Sequence, residues 1–310
     1  MSTPIVSVII PTYNRGDTIE RAIDSVLKQS FKQFELIVVD DGSTDNTAKL
    51  LDSYSASRLK YIKFDINRGA NTARNVGIRE SNGSYISFLD SDDEFLPDHL
   101  ETVINSLEEQ PDSVGGVYTS QSRFQCGDLI GNNIAYQSLT SPRDVIERYP
   151  ASGFSTLTFR RGIFDTVGPL DEDLPAFQDR DFLLRFLRSF DLHPISDILV
   201  KYYVHDEQIS SNPAKKLYSI DVFMQKHKSI INKYNQSEFA YNKGFLYVKM
   251  ENMSDARAHF ADALRQKPTK GRYFLALLSS YFGYSGFQHI QDYKRSVKRY
   301  IDKLILRLNE

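Results

Sequence analysis

The chain has a single cysteine, Cys126, in 310 residues. No intrachain disulfide can form, and the reducing interior of a cell suits such a composition. The chain begins without the basic region and long apolar core of a signal peptide. It contains no run of about twenty apolar residues, so no spanning helix is expected and any bilayer contact would be peripheral. These absences point to the cytoplasm, including the cytoplasmic face of the membrane. Neither sign of charge dominates. The 38 basic and 40 acidic residues leave a net charge of -2, which supplies no global field to attract nucleic acid. Two phosphate-binding signatures are missing as well. No Gly-x-Gly-x-x-Gly follows the first apolar run, which disfavours a dinucleotide cofactor, and there is no Walker A loop.

What is present is an alternation of apolar runs and amphipathic segments. Val6-Ser7-Val8-Ile9-Ile10 reads as a strand that ends at Pro11-Thr12-Tyr13-Asn14. Asp17 and Glu20 have the spacing of a capping box, and Ile19, Ala22, Ile23, Val26 and Leu27 follow at helical spacing. Phe34 to Val39 is a second strand, stopping at Asp40-Asp41-Gly42-Ser43, with a helix through Leu50 and Leu51. Leu59 to Phe64 is a third strand, and Asn67-Arg68-Gly69 opens a helix from about Asn71 to Glu80. Tyr85 to Leu89 is a fourth, with Pro97 opening the helix beyond it. Continuous apolar strands between helices argue for a mostly parallel α/β sheet covered on both faces. Ligands bind such sheets beyond the carboxyl ends of the strands, and the polar clusters fall at those ends.

The densest cluster is Asp90-Ser91-Asp92-Asp93, directly after Phe88-Leu89. Crowding carboxylates at one strand tip is costly unless a cation is bound. Oxygen ligands suit Mn²⁺ or Mg²⁺, which commonly also take phosphate oxygens. The alternative is a solvated turn that caps the next helix.

Four segments in this order carry a family resemblance: Ser7 to Arg15, Ile37 to Asp45, Asn67-Arg68-Gly69 through Gly77, and Phe88 to Asp93. Residues 1 to about 210 resemble the family 2 inverting glycosyltransferases of the GT-A fold. The resemblance implies a nucleotide-sugar donor. Pro11, Thr12 and Tyr13 would lie against the base and ribose. Asp41, with Asp40 beside it, resembles the acid that reads uracil, which implies a UDP-sugar. Asn67, Gly69 and Arg74 would line the same pocket; for Arg74 the alternative is a structural ion pair. Asp90-Ser91-Asp92 looks like the family's DxD motif, with Asp90 facing ribose or metal and Asp92 a ligand of Mn²⁺ or Mg²⁺. Asp93 is read as no more than the start of the next helix.

Inversion needs one general base for the acceptor hydroxyl. Phe177-Gln178-Asp179-Arg180-Asp181-Phe182-Leu183-Leu184-Arg185 is similar to the family segment that carries it, with Gln178 where a Glu is usual, and Asp179 matches the base. Asp181 reads as a helix-start acid favoured by the positive terminus. Asp171-Glu172-Asp173 resembles the family segment that leads toward the acceptor site, and its three side chains read as a solvated acidic turn. Ser152-Gly153-Phe154-Ser155-Thr156 resembles the lining of the sugar and acceptor pocket. Lys201-Tyr202-Tyr203-Val204-His205 reads as a strand ending in a histidine that, in some family members, is a further metal ligand or diphosphate contact; the alternative is a structural histidine.

From about Asp221 helical periodicity replaces strand-like runs. The expected division is a transferase domain over 1–215, with donor (1–110) and acceptor (111–215) halves, and an all-α region over 216–310. Gly244, Tyr247, Ala256, Phe260, Ala263 and Pro268 fall at the spacing of one tetratricopeptide-like hairpin at about 237–268. Tyr293, Val297, Tyr300, Ile301, Leu304, Ile305 and Leu308 form a final apolar stripe beside basic residues, which suits either a membrane surface or a docked helix. The whole reads as a transferase acting on a glycan or lipid-linked acceptor in cell-surface polysaccharide or glycoconjugate synthesis. The competing readings are a nucleotidyltransferase, which lacks its Gly-rich phosphate loop here, and an inactive transferase domain serving as a helical-repeat interaction protein.

Overall fold

In the computed structural model of the protein, strands β1 (Val6–Thr12), β2 (Phe34–Asp40), β3 (Leu59–Lys63) and β4 (Tyr85–Phe88) lie parallel in the order β3-β2-β1-β4. The structure describes residues 3–54, 57–148, 153–205 and 212–293, and the chain divides into two compact units, Met1–Gln208 and Ile209–Glu310.

Alternation along each strand sorts its side chains between two helical layers. Val6, Val8, Ile10, Leu36 and Val38 point to one face, where helix α1 (Ile19–Leu27) buries Ile19, Ala22, Ile23 and Val26 against them. Leu51 of helix α2 (Thr47–Ser53) joins that layer. Ile37 and Val39 point to the other face and meet Ala73 of helix α3 (Ala70–Arg79). Both faces are therefore apolar, which is why the strands read as unbroken runs. The Asp17–Glu20 capping box is not formed. The N-cap of α1 is Thr18, with no side-chain capping bond.

Beyond β4 the sheet changes character. After the two-residue strand β5 (Glu94–Phe95) and helix α4 (His99–Glu108) come β6 (Val114–Gln125), β7 (Asp128–Asn133), helix α5 (Pro142–Arg148), a 3-10 turn (Phe154–Thr156), β8 (Leu157–Arg160), helices α6 (Ile163–Val167) and α7 (Gln178–Phe186), and β9 (Asp191–Val204). They complete a nine-stranded sheet in the order β3-β2-β1-β4-β8-β6-β9-β5, with β7 paired to β6. β8 runs antiparallel to β4 and β6, while β9 is parallel to β6. The sheet is thus mixed, with β3, β2, β1 and β4 as its four-stranded parallel part.

An aromatic cluster fastens α7 to this second part. Phe159 of β8 meets Phe182 and Phe186 edge-on at 5.3 and 5.2 Å, and Phe88 of β4 meets Phe154 at 5.2 Å. Such pairs add about 0.5–1.5 kcal/mol each beyond area burial, so they fix the start of α7 relative to the end of β4.

The second unit is helical: α8 (Pro213–Lys226), α9 (Lys228–Tyr234), α10 (Gln236–Lys249), α11 (Met253–Gln266) and α12 (Gly271–Ser280), then helical residues 283–293. α10 and α11 pack on each other, with Val248, Ala256 and Phe260 in one cluster. A Cβ at Gly244 would lie 2.4 Å from the Phe260 ring, so only glycine lets these two helices approach as they do. The tetratricopeptide likeness itself rests on sequence spacing alone. The final stripe beyond Tyr293 lies outside the described residues.

Candidate active site

Four strand-end loops meet at the carboxyl edge of the parallel strands. Asn14, at the end of β1 and with φ of 51°, donates its N–H to Ser43 Oγ at 2.9 Å and accepts from Thr44 N at 2.8 Å. Pro11 and Thr12 are buried behind it, the Thr12 hydroxyl has no partner among the described residues, and Tyr13 is 41% exposed.

The paired acids after β2 divide their work. Asp40 is fully buried and accepts from Ser43 N at 2.8 Å and from the Tyr61 hydroxyl at 3.0 Å, so it shapes its own turn. Asp41 accepts the backbone N–H groups of Arg68 at 2.6 Å and Gly69 at 2.8 Å, one on each carboxylate oxygen. Burial pushes the Asp41 carboxyl up, against the pull of those two bonds. Asp41 thereby holds the exposed Asn67-Arg68-Gly69 loop at the mouth of α3.

The acidic cluster after β4 has three separate environments. Asp90 Oδ1 pairs with Arg74 Nη2 at 2.6 Å, and its backbone N–H donates to Ser155 Oγ at 3.0 Å. Burial raises its proton affinity, Arg74 opposes this, and the charges of Asp92 and Asp179 add to it. Ser91 is buried. Asp92 Oδ2 lies 2.7 Å from His205 Nε2, at the end of β9. Asp93 is not a helix-start residue. It is buried, accepting from Ser155 Oγ at 2.5 Å and from Tyr203 N at 3.2 Å, and α4 begins later, behind Asp98. Burial, then Asp92 and Asp90, hold the Asp93 carboxyl well above the ordinary range.

Asp179 stands in the first turn of α7, where the positive helix terminus favours a carboxylate. Its Oδ2 accepts the Gly153 N–H at 3.2 Å. Gly153 has φ of 86°, open to glycine, and a Cβ there would lie 3.8 Å from Asp90 Oδ2. The candidate base and the acidic cluster therefore meet across one glycine. Ser152 lies outside the described residues. Asp181, read as a helix-start acid, is fully buried and pairs with Arg185 at 3.1 Å.

Several residues of the site carry no signal in the sequence. Arg21 of α1 donates to the Asp92 carbonyl at 2.6 Å and lies 3.6 Å from the Tyr203 ring centroid, holding the cluster against β9. Gln178 accepts from Arg74 Nη1 at 3.0 Å, so Arg74 spans Asp90 and the residue beside Asp179. Arg74 is also 4.3 Å from the Phe154 ring centroid. The acidic turn at Asp171-Glu172-Asp173 is exposed at Glu172 and Asp173, as its composition suggests, and it is also anchored to α3. Glu172 accepts from Thr72 Oγ1 at 2.9 Å and Asn75 Nδ2 at 2.8 Å, and Asn71 Nδ2 donates to the Asp171 carbonyl at 2.6 Å. The bond from Asn75 leads in holding the Glu172 carboxyl below its usual value.

Asp92 and His205 pair oxygen with nitrogen beside Asp90, although among the described residues no three His, Cys, Asp or Glu side chains are grouped so that they could hold a metal ion. No helix among them is long and apolar enough to cross a membrane.

Residues 7–160 match the family description Glycosyl transferase family 2. The chain is 30% identical over 219 residues to the UDP-Glc:alpha-D-GlcNAc-diphosphoundecaprenol beta-1,3-glucosyltransferase WfgD of Escherichia coli, an alignment covering 70% of this chain and 84% of that protein. The fold resembles that of S. aureus TarS 1-349 in complex with UDP-GlcNAc, with TM-score 0.61 and 19% identity over 88% of this chain and 84% of that one. It also resembles the mannosyltransferase PcManGT of Pyrobaculum calidifontis in complex with GDP-Man and Mn²⁺, with TM-score 0.60 and 20% identity over 98% and 89% of the two chains. With its mixed, mostly parallel GT-A sheet and its match to a relative along most of that relative's length, the chain belongs to glycosyltransferase family 2, whose members transfer sugars with inversion.

Proposed function

We propose that the protein is a metal-dependent transferase that moves a sugar from a UDP-sugar to a hydroxyl of a glycan or lipid-linked acceptor, in the synthesis of a cell-surface polysaccharide or glycoconjugate. The observation that carries this reading is the approach of Asp179 to the Asp90–Asp92 cluster across Gly153. A base for the acceptor and a grip for the donor diphosphate then face one small space. The uridine donors named for the E. coli and S. aureus proteins, and the lipid diphosphate acceptor of the former, support the choice of substrates.

Asp41 keeps a lone pair on each oxygen after its two backbone bonds, enough to accept the imide N–H of uracil. Asp92, His205 and Asp90 would hold Mn²⁺ or Mg²⁺. Two carboxylates and one imidazole suit such a cation chemically, and holding it requires Asp92 and His205 to part from their 2.7 Å contact. The PcManGT complex shows that a neighbour of this fold takes Mn²⁺. When bound, the metal neutralises charge on the leaving diphosphate. Asp179 takes the proton of the acceptor hydroxyl as that oxygen bonds to the anomeric carbon. The bond from this carbon to the β-phosphate oxygen breaks, and UDP departs with the electron pair.

A nucleotide-release assay over uridine, guanosine and thymidine sugars, with and without Mn²⁺, tests the reading. Release from uridine donors alone, abolished by chelation and by Asp92→Ala, is expected. Undiminished turnover by Asp92→Ala under chelation would sink it.

A further inference from the structure

We propose that the outward face of α12 and the turn after it docks on an anionic lipid bilayer. One side of this helix packs inward. Tyr273, Ala276, Ser279 and Ser280 are buried, and Ala276 lies in a cluster with Val248, Ala256, Phe260 and Phe287. The other side is just as apolar and faces solvent. Phe274, Leu275 and Leu278 are 53, 45 and 47% exposed, and Tyr281 and Phe282 extend the row at 69 and 64%. These positions recur every three or four residues, so they form one stripe. A helix that is apolar all round is ordinarily covered on all sides, and five large side chains in one row exceed the scattered exposure of a soluble surface.

Charge selects the occupant. No acidic residue occurs from Lys267 to Gln291, and from Lys267 to the end of the chain nine Lys and Arg stand against three Asp and Glu. The chain as a whole is at -2, so the residues before Lys267 sum to a net acidic charge while this end is net basic. Lys267 and Lys270 are exposed at the entry to α12, and the Arg257 guanidinium lies 5.6 Å from the Tyr281 ring centroid. A second copy of the same face would bring like charges together. Anionic headgroups beside an apolar layer match both features of the face, the basic residues reaching phosphate while the aromatic and leucine side chains enter the acyl boundary.

Sedimentation of the full chain with vesicles of phosphatidylglycerol and phosphatidylcholine, against phosphatidylcholine alone, tests this. The protein is expected to partition onto the anionic vesicles only, and less so as salt is raised. Leu278→Ser with Phe282→Ser should weaken partitioning about tenfold or more. Lys267→Glu with Lys270→Glu should weaken it to a similar order by charge alone. All four side chains are exposed, so the melting temperature serves as a control that should not move. Partitioning that is absent, indifferent to headgroup charge or equal in the variants would overturn the proposal. So would a dimer, measured by light scattering, that Leu278→Ser dissociates, since a second copy would then cover the face.

Discussion

Arg74 and Asp90 are joined Nη2 to Oδ1 at 2.6 Å, and this pair ties α3 to the acidic loop after β4. The same guanidinium reaches Gln178, one residue before Asp179, and rests on Phe154. α3, the acidic loop, the turn around Gly153 and the start of α7 are therefore fixed on one cation. The position that the family usually fills with Glu holds a neutral Gln here, so Asp90 has no competing carboxylate at that position for the charge of Arg74.

Arg74→Ala should leave Asp90 facing Asp92 and Asp179 without its cation. Removing one partner of a buried pair costs about 3–5 kcal/mol, and the partial exposure of Asp90 places this case at the low end. Urea unfolding should report a loss of about 3 kcal/mol, reduced when Mn²⁺ is added because a cation relieves the same repulsion. Arg74→Lys keeps the charge but has no fork to span Asp90 and Gln178 together, so it should recover only part of the loss. An Arg74→Ala protein as stable as the parent would contradict the role assigned to the pair.

Asp179→Asn separates chemistry from architecture. An amide oxygen can still accept the Gly153 N–H, so the turn should hold. The proposed base is lost, and turnover should fall by about 10²–10⁴, with nucleotide affinity by calorimetry unchanged. A fall in affinity that matches the fall in turnover would place Asp179 in donor binding.

Asn75 makes a two-way bond with Leu170, accepting its N–H and donating to its carbonyl, both at 2.9 Å, and the same amide reaches Glu172. Asn75→Ala strands both backbone groups of a buried residue. Each unsatisfied group costs about 1–3 kcal/mol, so a total loss of about 2–4 kcal/mol is expected in chemical denaturation. Glu172→Gln keeps an oxygen for one donor and should cost about 1 kcal/mol or less. Equal losses in the two variants would show that the charge, and not the amide pairing, holds the segment ahead of α7.

Much of the parallel part of the sheet can be read from the sequence, for a physical reason. β1, β2 and β4 are covered on both faces, so burial writes each as a short unbroken apolar run, and the ends of those runs locate the loops around Asp41 and Asp90. The part of the sheet beyond β4 hides its order because β8 and β9 return antiparallel or out of sequence order, and β9 is half exposed. Within the site, composition identifies the acids but not the direction each one faces. Asp92 and Asp93 are adjacent and chemically identical, yet one meets His205 and the other is buried against Ser155. Glu172 is the exposed acid that its composition suggests, but its bonds to Thr72 and Asn75 of α3 span about a hundred residues of chain and leave no local pattern. Arg21 has no local pattern at all, since its two partners come from β9 and the acidic loop.

His99 gives a test away from the chemistry. Its ring stacks on Phe95 with centroids 3.6 Å apart, Nδ1 lies 3.3 Å from the Leu199 carbonyl, and Nε2 is buried with no partner among the described residues. Burial pushes its pKa from the ordinary 6.5 down to about 3. The unfolded chain therefore binds one more proton than the folded chain between those values. The contribution is complete above pH 6.5 and is lost as pH falls toward 3, at about 1.4 kcal/mol per pH unit. Between pH 7 and pH 5 this group alone should remove about 2 kcal/mol of stability. His99→Leu abolishes the extra proton uptake, so although it loses the Leu199 contact its disadvantage should shrink as pH falls. Urea unfolding of both proteins at several pH values measures that convergence, and parallel curves would mean that His99 accepts a proton in the folded state.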